Sequence, residues 1–187
     1  MQVSKLTVTP TSINGVLIIE PKVFGDDRGW FMESFNAQDF ALVTDLDTQF
    51  VQDNHSFSRR STLRGMHYQL ERTQGKLVRV VSGAVFDVAV DLRQQSSTYG
   101  QWVGIELSAE NHKQLWVPPG LAHGFLVLSE IAEFLYKTSD YYHPQSEVCL
   151  AWNDPTVGIE WPLEVGELPN LNAKDSAGLS WEKAPKF

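Results

Sequence analysis

The sequence predicts an all-β sandwich or barrel of the jelly-roll kind, and three observations carry that reading. Apolar runs are short, recur at roughly 8–12-residue spacing and are separated by turn residues. Residues 84–92 alternate with a period of two: Ala84, Phe86, Val88, Val90 and Leu92 against Val85, Asp87, Ala89 and Asp91. That is a strand whose faces differ, with Asp87 and Asp91 opposite the larger apolar set. No linker, repeat or low-complexity tract interrupts the series, and the 187 residues suit one domain. The expectation is a single domain over 1–187, with an N-terminal strand extension and an irregular C-terminal tail.

The elements follow in order. "GVLIIEP" (15–21) reads as a strand ended by Pro21, and "WFMESF" (30–35) as another after the polar turn "GDDRG" (25–29). "NAQDFALVTDL" (36–46) is a short helix, with Asn36 as N-cap and Phe40, Val43 and Leu46 at helical spacing. Strands are then expected in "FVQDNHSFS" (50–58), "TLRGMHYQ" (62–69) and "KLVRVVSGAVFDVAVDLR" (76–93), the last broken into two at Ser82-Gly83. The series continues through "WVGIELS" (102–108), "KQLWVPP" (113–119), "HGFLVLS" (123–129), "AEFLYKTSD" (132–140) and "EVCLAWN" (147–153). That makes about ten strands. The tail beyond "DPTVGIEWP" (154–162) is irregular, with room for a short helix.

Composition removes whole classes of function. The formal net charge is −8, which repels a nucleic-acid backbone. One cysteine, Cys149, excludes an intrachain disulfide, so no oxidising compartment is required. The N-terminus lacks a basic segment followed by an apolar core, and no apolar run approaches the ~18 residues that span a bilayer. The expectation is a cytoplasmic protein with no nucleic-acid and no membrane partner.

Chemistry concentrates around "LRGMHYQ" (63–69) and the strands after it. Taken alone, His67 could be a hydrogen-bonded strand histidine, a metal ligand or a base. Arg64, Lys76 and Asp87 lie on the same or adjoining expected strands, and buried charges are costly unless paired, which favours a site. Taken singly, Lys76 also fits a solvated strand end, Tyr136 core filling, and Arg59 and Arg60 solvated charge. Tyr141 and Tyr142 are rim residues or an aromatic platform for a base. A histidine strand followed by "PPGLAHGF" (118–125) resembles the cupins, many of which bind metal. Their H-x-H pair is replaced here by His67-Tyr68-Gln69, leaving only His67 and His123 toward a two-His-one-carboxylate set. The expectation is no metal.

Read together, "VFGDDRGWFMESF" (23–35), "FVQDNHSFS" (50–58), "LRGMHYQ" (63–69), "QGKLVRVVSGAVFDVAVDLR" (74–93), "YGQWVGIELS" (99–108), "LWVPPGLAHGFLVLSE" (115–130), "EFLYKTSDYYHP" (133–144) and "WNDPTVGIEWP" (152–162) resemble the dTDP-4-dehydrorhamnose 3,5-epimerase family over nearly the whole chain. The resemblance implies a cupin-type β jelly roll (double-stranded β-helix) with a few short helices. It also implies a homodimer without metal or organic cofactor, and inversion of dTDP-4-dehydro-6-deoxy-D-glucose at C3 and C5 in dTDP-L-rhamnose synthesis. His67 matches the family's base, Tyr136 its catalytic tyrosine, Lys76 its enolate-facing lysine and Asp175 the histidine's partner. Substrate contacts fall on Phe24, Arg28, Glu33, Gln52, Asn54, Arg64, His123, Glu147 and Lys174, with Tyr142 stacking on thymine. Those near Arg28 and Glu33 come from the partner subunit. Asp87 is the other candidate to support His67, or it holds Lys76.

The chemistry suits these side chains. A 4-keto group acidifies C3–H and C5–H, and inversion needs a base on one face of the ring and an acid on the other. Histidine, with an ordinary pKa near 6.5, is the natural base. Lysine stabilises the enolate oxygen, and a phenol can reprotonate the carbanion. Arginine meets a diphosphate with its fork of N–H donors. Other readings of the same residues are inversion at one carbon only, a metal-dependent oxygenase, or an inactive sugar-nucleotide-binding cupin.

Overall fold

The computed structural model describes residues 5–44 and 46–187. Among them are thirteen strands: β1 (Leu6–Pro10), β2 (Leu17–Pro21), β3 (Val23–Asp26), β4 (Gly29–Met32), β5 (Gln52–Arg59), β6 (Leu63–Gln69), β7 (Lys76–Ser82), β8 (Ala84–Asp91), β9 (Trp102–Ser108), β10 (Gln114–Val117), β11 (Leu121–Val127), β12 (Ile131–Thr138) and β13 (Glu147–Cys149). Two short helices, α1 (Ala37–Thr44) and α2 (Ala173–Ser176), complete the set with one 3₁₀ turn. No helix among the described residues is long and apolar enough to cross a membrane.

A six-stranded sheet, β1-β2-β10-β7-β12-β5, faces a five-stranded sheet, β13-β6-β11-β8-β9, and every strand pairing is antiparallel. From β5 to β8 consecutive strands alternate between the sheets: β7 lies in the first and β8 in the second, joined at Gly83. Gly83 has φ +74°, and a Cβ there would sit 2.0 Å from the Ile131 carbonyl oxygen, so the corner requires glycine. The core between the sheets takes Val78, Val80, Leu115 and Phe134 from one side and Val85, Ala89, Leu107 and Phe125 from the other.

The alternation along 84–92 now has its explanation. Val85, Asp87, Ala89 and Asp91 point inward, while Val88, Val90 and Leu92 point outward under Val157, Ala184, Trp161 and Trp181 of the C-terminal tail. Both faces of β8 are covered, so Asp87 and Asp91 are fully buried. The irregular tail therefore acts as a third layer, held by side-chain burial and by two isolated bridges, Thr62 to Asn170 and Leu150 to Leu179.

Several boundaries differ from expectation. The expected strand 30–35 ends at Met32. The helix runs over Ala37–Thr44, and Asp45 of its expected span lies outside the described residues, as do residues 1–4 of the expected domain. The Asn36 cap is present: its Oδ1 accepts from the amides of Gln38 (3.0 Å) and Asp39 (3.3 Å). "GDDRG" is the tip of the β3–β4 hairpin, which forms its own two-stranded sheet. Its strands are mostly exposed on both faces, so they carry no alternation to read.

Asp91 closes the end of β8. Its carboxylate accepts from the Arg93 amide (3.0 Å), Arg93 Nε (2.8 Å) and Nη2 (2.8 Å), and the hydroxyls of Ser96 (2.6 Å) and Thr98 (2.7 Å). Burial raises its pKa, but the hydrogen bonds from Arg93, Ser96 and Thr98 overcome this and hold it down to about 2. The folded pKa lies below the ordinary 3.8, so the charged form is the stabilising one. Its contribution is complete above about pH 4 and is lost as pH falls from there toward 2. Asp91→Asn is expected to destabilise the protein by roughly 2 kcal/mol at pH 7, and the deficit should shrink toward pH 3 in urea unfolding.

Candidate active site

The site begins with an irregularity in β6. Across the β6–β11 ladder His67 faces His123, but Arg64 faces Phe125, so three steps on β6 span two on β11. The extra residue is a bulge at Gly65-Met66. Strict alternation would send Arg64 and His67 to opposite faces. The bulge turns both inward while Met66 and Tyr68 stay outside with the tail. It requires close backbone contact: a Cβ on Gly65 would lie 2.5 Å from Gly124 Cα, and Gly65 has φ +138°.

A cleft of about 400 Å³ opens between the two sheets. One wall carries Arg64, His67, His123, Phe125 and Glu147 of β6, β11 and β13. The facing wall carries Gln52, Asn54, Ser56, Lys76, Phe134 and Tyr136 of β5, β7 and β12. Register fixes that second wall: Tyr136 pairs with Asn54 and Val78, and Thr138 pairs with Gln52 and Lys76. Tyr142 and the α2 segment, with Asn172, Lys174 and Asp175, form the rim.

Each histidine has its own carboxylate. His67 Nε2–H donates to Asp175 Oδ1 at 2.6 Å, leaving Nδ1 as the ring nitrogen that carries a lone pair. Asp175 is 1% exposed, and its amide donates to Asn172 Oδ1 at 2.7 Å, so the cap of α2 fixes the carboxylate. His123 Nε2–H donates to both Asp87 oxygens at 2.9 and 3.0 Å. Of the two candidates, Asp175 therefore supports His67, while Asp87 supports His123 and acts on Lys76 through its charge.

Burial tunes the other groups. Desolvation pushes Lys76 down to about 8, against the charges of Asp87 and Glu147, and Lys174 adds to the depression. Burial also raises the Tyr136 hydroxyl, helped by Glu147 and opposed by Arg64, so the phenol keeps its proton. Glu147 holds the rim together, with Lys174 Nζ at 2.5 Å and the Tyr142 hydroxyl at 2.7 Å. Its carboxyl feels burial upward, but Lys174 and Tyr142 hold it below the usual range. Arg64 Nε donates to Ser58 Oγ at 2.9 Å and forms no salt bridge among the described residues.

Eleven of the expected site residues thus share this cleft: His67, Tyr136, Lys76, Asp175, Gln52, Asn54, Arg64, His123, Tyr142, Glu147 and Lys174. Three lie elsewhere in the single chain. Phe24 and Arg28 are exposed on the β3–β4 hairpin, where Arg28 Nη2 bonds Asp26 Oδ2 at 2.5 Å. Glu33 pairs with Lys5 at 2.6 Å. Sequence reasoning missed Ser56, Gln74, Asn172, Phe125 and Phe134 as lining residues. The period of two through Gln52 and Asn54 pointed to Ser56, and "NAKD" (172–175) reads as a capped helix start.

Comparison with known proteins agrees with this geometry. Residues 10–183 match the family model for dTDP-4-dehydrorhamnose 3,5-epimerase. The chain is 58% identical over 180 residues to the enzyme of that name from Salmonella typhimurium, covering 96% of this chain and 97% of the relative. A crystal structure of a dTDP-6-deoxy-D-glucose-3,5-epimerase from Legionella pneumophila, in complex with dTDP-4-keto-L-rhamnose, superposes with a TM-score of 0.93 at 50% identity over 96% of this chain and 95% of that one. A 3'-monoepimerase from Streptomyces bikiniensis in complex with dTDP-quinovose superposes at 0.84, with 34% identity over 91% and 86% of the chains. The jelly roll with paired histidines in its cleft, and likeness over nearly the full length, lead to one conclusion: the chain belongs to the dTDP-4-dehydrorhamnose 3,5-epimerase family.

Proposed function

We propose that the chain inverts C3 and C5 of dTDP-4-dehydro-6-deoxy-D-glucose to give dTDP-4-dehydro-L-rhamnose, with His67 as base, Asp175 as its partner, Lys76 at the C4 oxygen and Tyr136 as the opposite-face acid. The observation that carries this reading is the division of the cleft. The His67–Asp175 pair stands on one wall, and Lys76 and Tyr136 stand on the other.

His67 Nδ1 takes a proton from the carbon next to the ketone. Asp175 stabilises the imidazolium and holds the tautomer through Nε2. The electron pair moves onto the C4 oxygen, where the Lys76 ammonium meets it in a half-buried setting. The Tyr136 hydroxyl then delivers a proton from the opposite face, and phenolate and imidazolium re-equilibrate with solvent. C3 and C5 flank the same ketone, so one base and one acid serve both. The balance of charge in this chemistry requires no metal or redox cofactor.

Gln52, Asn54, Arg64, His123, Glu147 and Lys174 bind the sugar nucleotide, and Tyr142 stacks on thymine. Phe24, Arg28 and Glu33 complete the site of a partner subunit in a homodimer. The exposure of large apolar residues on the β3–β4 hairpin, Trp30 at 60% and Phe31 at 64%, supports that assembly. The chain is read as one domain whose activity needs a second copy of itself, and its nucleotide-sugar substrate fits a cytoplasmic enzyme.

Isotope exchange tests the roles. In deuterium oxide, His67→Asn should lose label incorporation at both C3 and C5 by roughly 10²–10⁴-fold while binding dTDP normally by calorimetry. Retained exchange at either carbon rejects a single base. Tyr136→Phe should still exchange but fail to invert C5 by proton NMR. A wild-type product inverted at one carbon would reduce the enzyme to a monoepimerase.

The lowered pKa of Lys76 sets a pH dependence. The ammonium is present below about 8 and is lost as pH rises through it, so kcat should fall on an alkaline limb near pH 8. Lys76→Arg should abolish that limb. Lys76→Met should cost roughly 10²–10³-fold in kcat at pH 7.

Sharing of the site between subunits is tested by mixing. Chains carrying Arg28→Ala or His67→Asn should each be nearly inactive alone. Refolded together, they should recover about a quarter of wild-type activity, since half the dimers are mixed and each mixed dimer has one intact site. No recovery places Arg28 in its own chain's site, and an Arg28→Ala chain that is active alone places it outside any site.

A further inference from the structure

Cys149 has no role in the proposed reaction, yet it stands next to the base. It is the Cα partner of His67 across β13 and β6, so both side chains leave the sheet on one face. Its Sγ, a ring nitrogen of His67 and a carboxylate oxygen of Asp175 all lie within 4.8 Å of one another. The thiol spends its proton on a long contact to the Gly65 carbonyl, 3.4 Å away.

We propose that His67 Nε2, Cys149 Sγ and Asp175 Oδ1 form a binding site for a thiophilic divalent cation, zinc in particular, that switches the enzyme off. The donor set is one nitrogen, one sulfur and one oxygen, which zinc accepts and magnesium does not. Three protein ligands leave the fourth tetrahedral position to water from the cleft that His67 lines. One thiolate and one carboxylate cancel the charge of the ion, so the half-buried site ends neutral. Tetrahedral zinc with bonds of about 2.0–2.3 Å needs donors about 3.3–3.5 Å apart. The His67–Asp175 contact opens from 2.6 Å, and the sulfur closes in. Asp175 hangs on a four-residue helix, which makes such movement small and local. His123 does not compete, because Asp87 holds its Nε2.

Binding is a proton balance with no change of oxidation state. The thiol proton leaves to water. The single imidazole proton moves through water from Nε2 to Nδ1, and the metal takes its place between Nε2 and Asp175. Nδ1, the nitrogen assigned as base, then holds a proton instead of a lone pair, so abstraction stops. Inhibition thus rests on the role proposed for His67, whereas binding does not.

Cobalt(II) is the probe for the site and zinc for its effect. Chelator-stripped full-length wild type should develop a near-ultraviolet thiolate-to-cobalt band on titration with cobalt chloride, and zinc should abolish it. Cys149→Ser should show no band, and His67→Asn should bind cobalt at least tenfold more weakly. Zinc chloride should inhibit wild type at concentrations at least tenfold below those needed for Cys149→Ser, whose basal turnover is retained. EDTA should reverse the inhibition, and magnesium should not cause it. Absence of the band, or equal zinc sensitivity of wild type and Cys149→Ser, overturns the proposal. A band without loss of turnover upholds the metal site and overturns the assignment of His67 as base.

Discussion

The extra residue that β6 carries against β11 is the constraint from which the site follows. A regular ladder would point a guanidinium and an imidazole three residues apart in opposite directions, one into the cleft and one into the layer under the tail. The bulge at Gly65-Met66 brings Arg64 and His67 to one wall and leaves Met66 and Tyr68 for the outer packing. It exists because two glycines meet there: Gly124 is as intolerant of a side chain as Gly65, since a Cβ on it would lie 2.7 Å from the Arg64 carbonyl oxygen. Backbone sterics, more than any side-chain attraction, therefore decide that a guanidinium and an imidazole share a cavity.

Electrostatics then sort the groups gathered there. The chain is acidic, and the cleft holds carboxylates of its own, yet each is engaged. Glu147 pairs with Lys174, Asp175 accepts a hydrogen bond from the ring of His67, and Asp87 accepts from that of His123. Arg64 and Lys76 are cations without a salt bridge among the described residues, so the cleft of an acidic chain still offers two positive groups. Burying Lys76 is costly, and the cost appears as a pKa drawn down to about 8. A weakened ammonium of this kind hydrogen-bonds strongly to a developing oxyanion, which makes the burial useful as well as tolerable.

Much of the fold was legible because the sheets are covered unequally along the chain. β8, with small and charged residues inward and larger apolar residues outward, announced its period directly. The Ser82-Gly83 break was readable because only glycine turns that corner. Of the β3–β4 hairpin the polar turn and the start of β4 were readable, but β3 and the end of β4 were not, since strands exposed on both faces have no pattern to show. In the site, residue type and neighbours pointed to His67, whereas Lys76 and Tyr136 taken singly also fitted a solvated strand end and core filling, and resemblance gave them their roles. The choice between Asp87 and Asp175 could not be made locally. Asp87 is near His67 in sequence and belongs to His123, while Asp175 is 108 residues away and belongs to His67. Resemblance pointed to Asp175, and the physical reason lies in the tail's path, which alternation does not encode.

That path gives the tail its importance. A four-residue helix has no stability of its own. α2 holds its position because Asn172 caps it, because Asn170 exchanges backbone hydrogen bonds with Ser61 and Leu63, and because Leu179 does the same with Cys149 and Ala151. The apolar layer of Val157, Trp161, Trp181 and Ala184 anchors the segments on either side against the five-stranded sheet. Lys174, next to Asp175, bonds Glu147, which in turn bonds Tyr142. The carboxylate beside the proposed base and the ring proposed to stack on thymine are therefore joined through one glutamate. Under the proposed function, the nucleotide end of the cleft and the carboxylate beside His67 are thus linked by a continuous chain of contacts, from Tyr142 through Glu147 and Lys174 to the segment that carries Asp175.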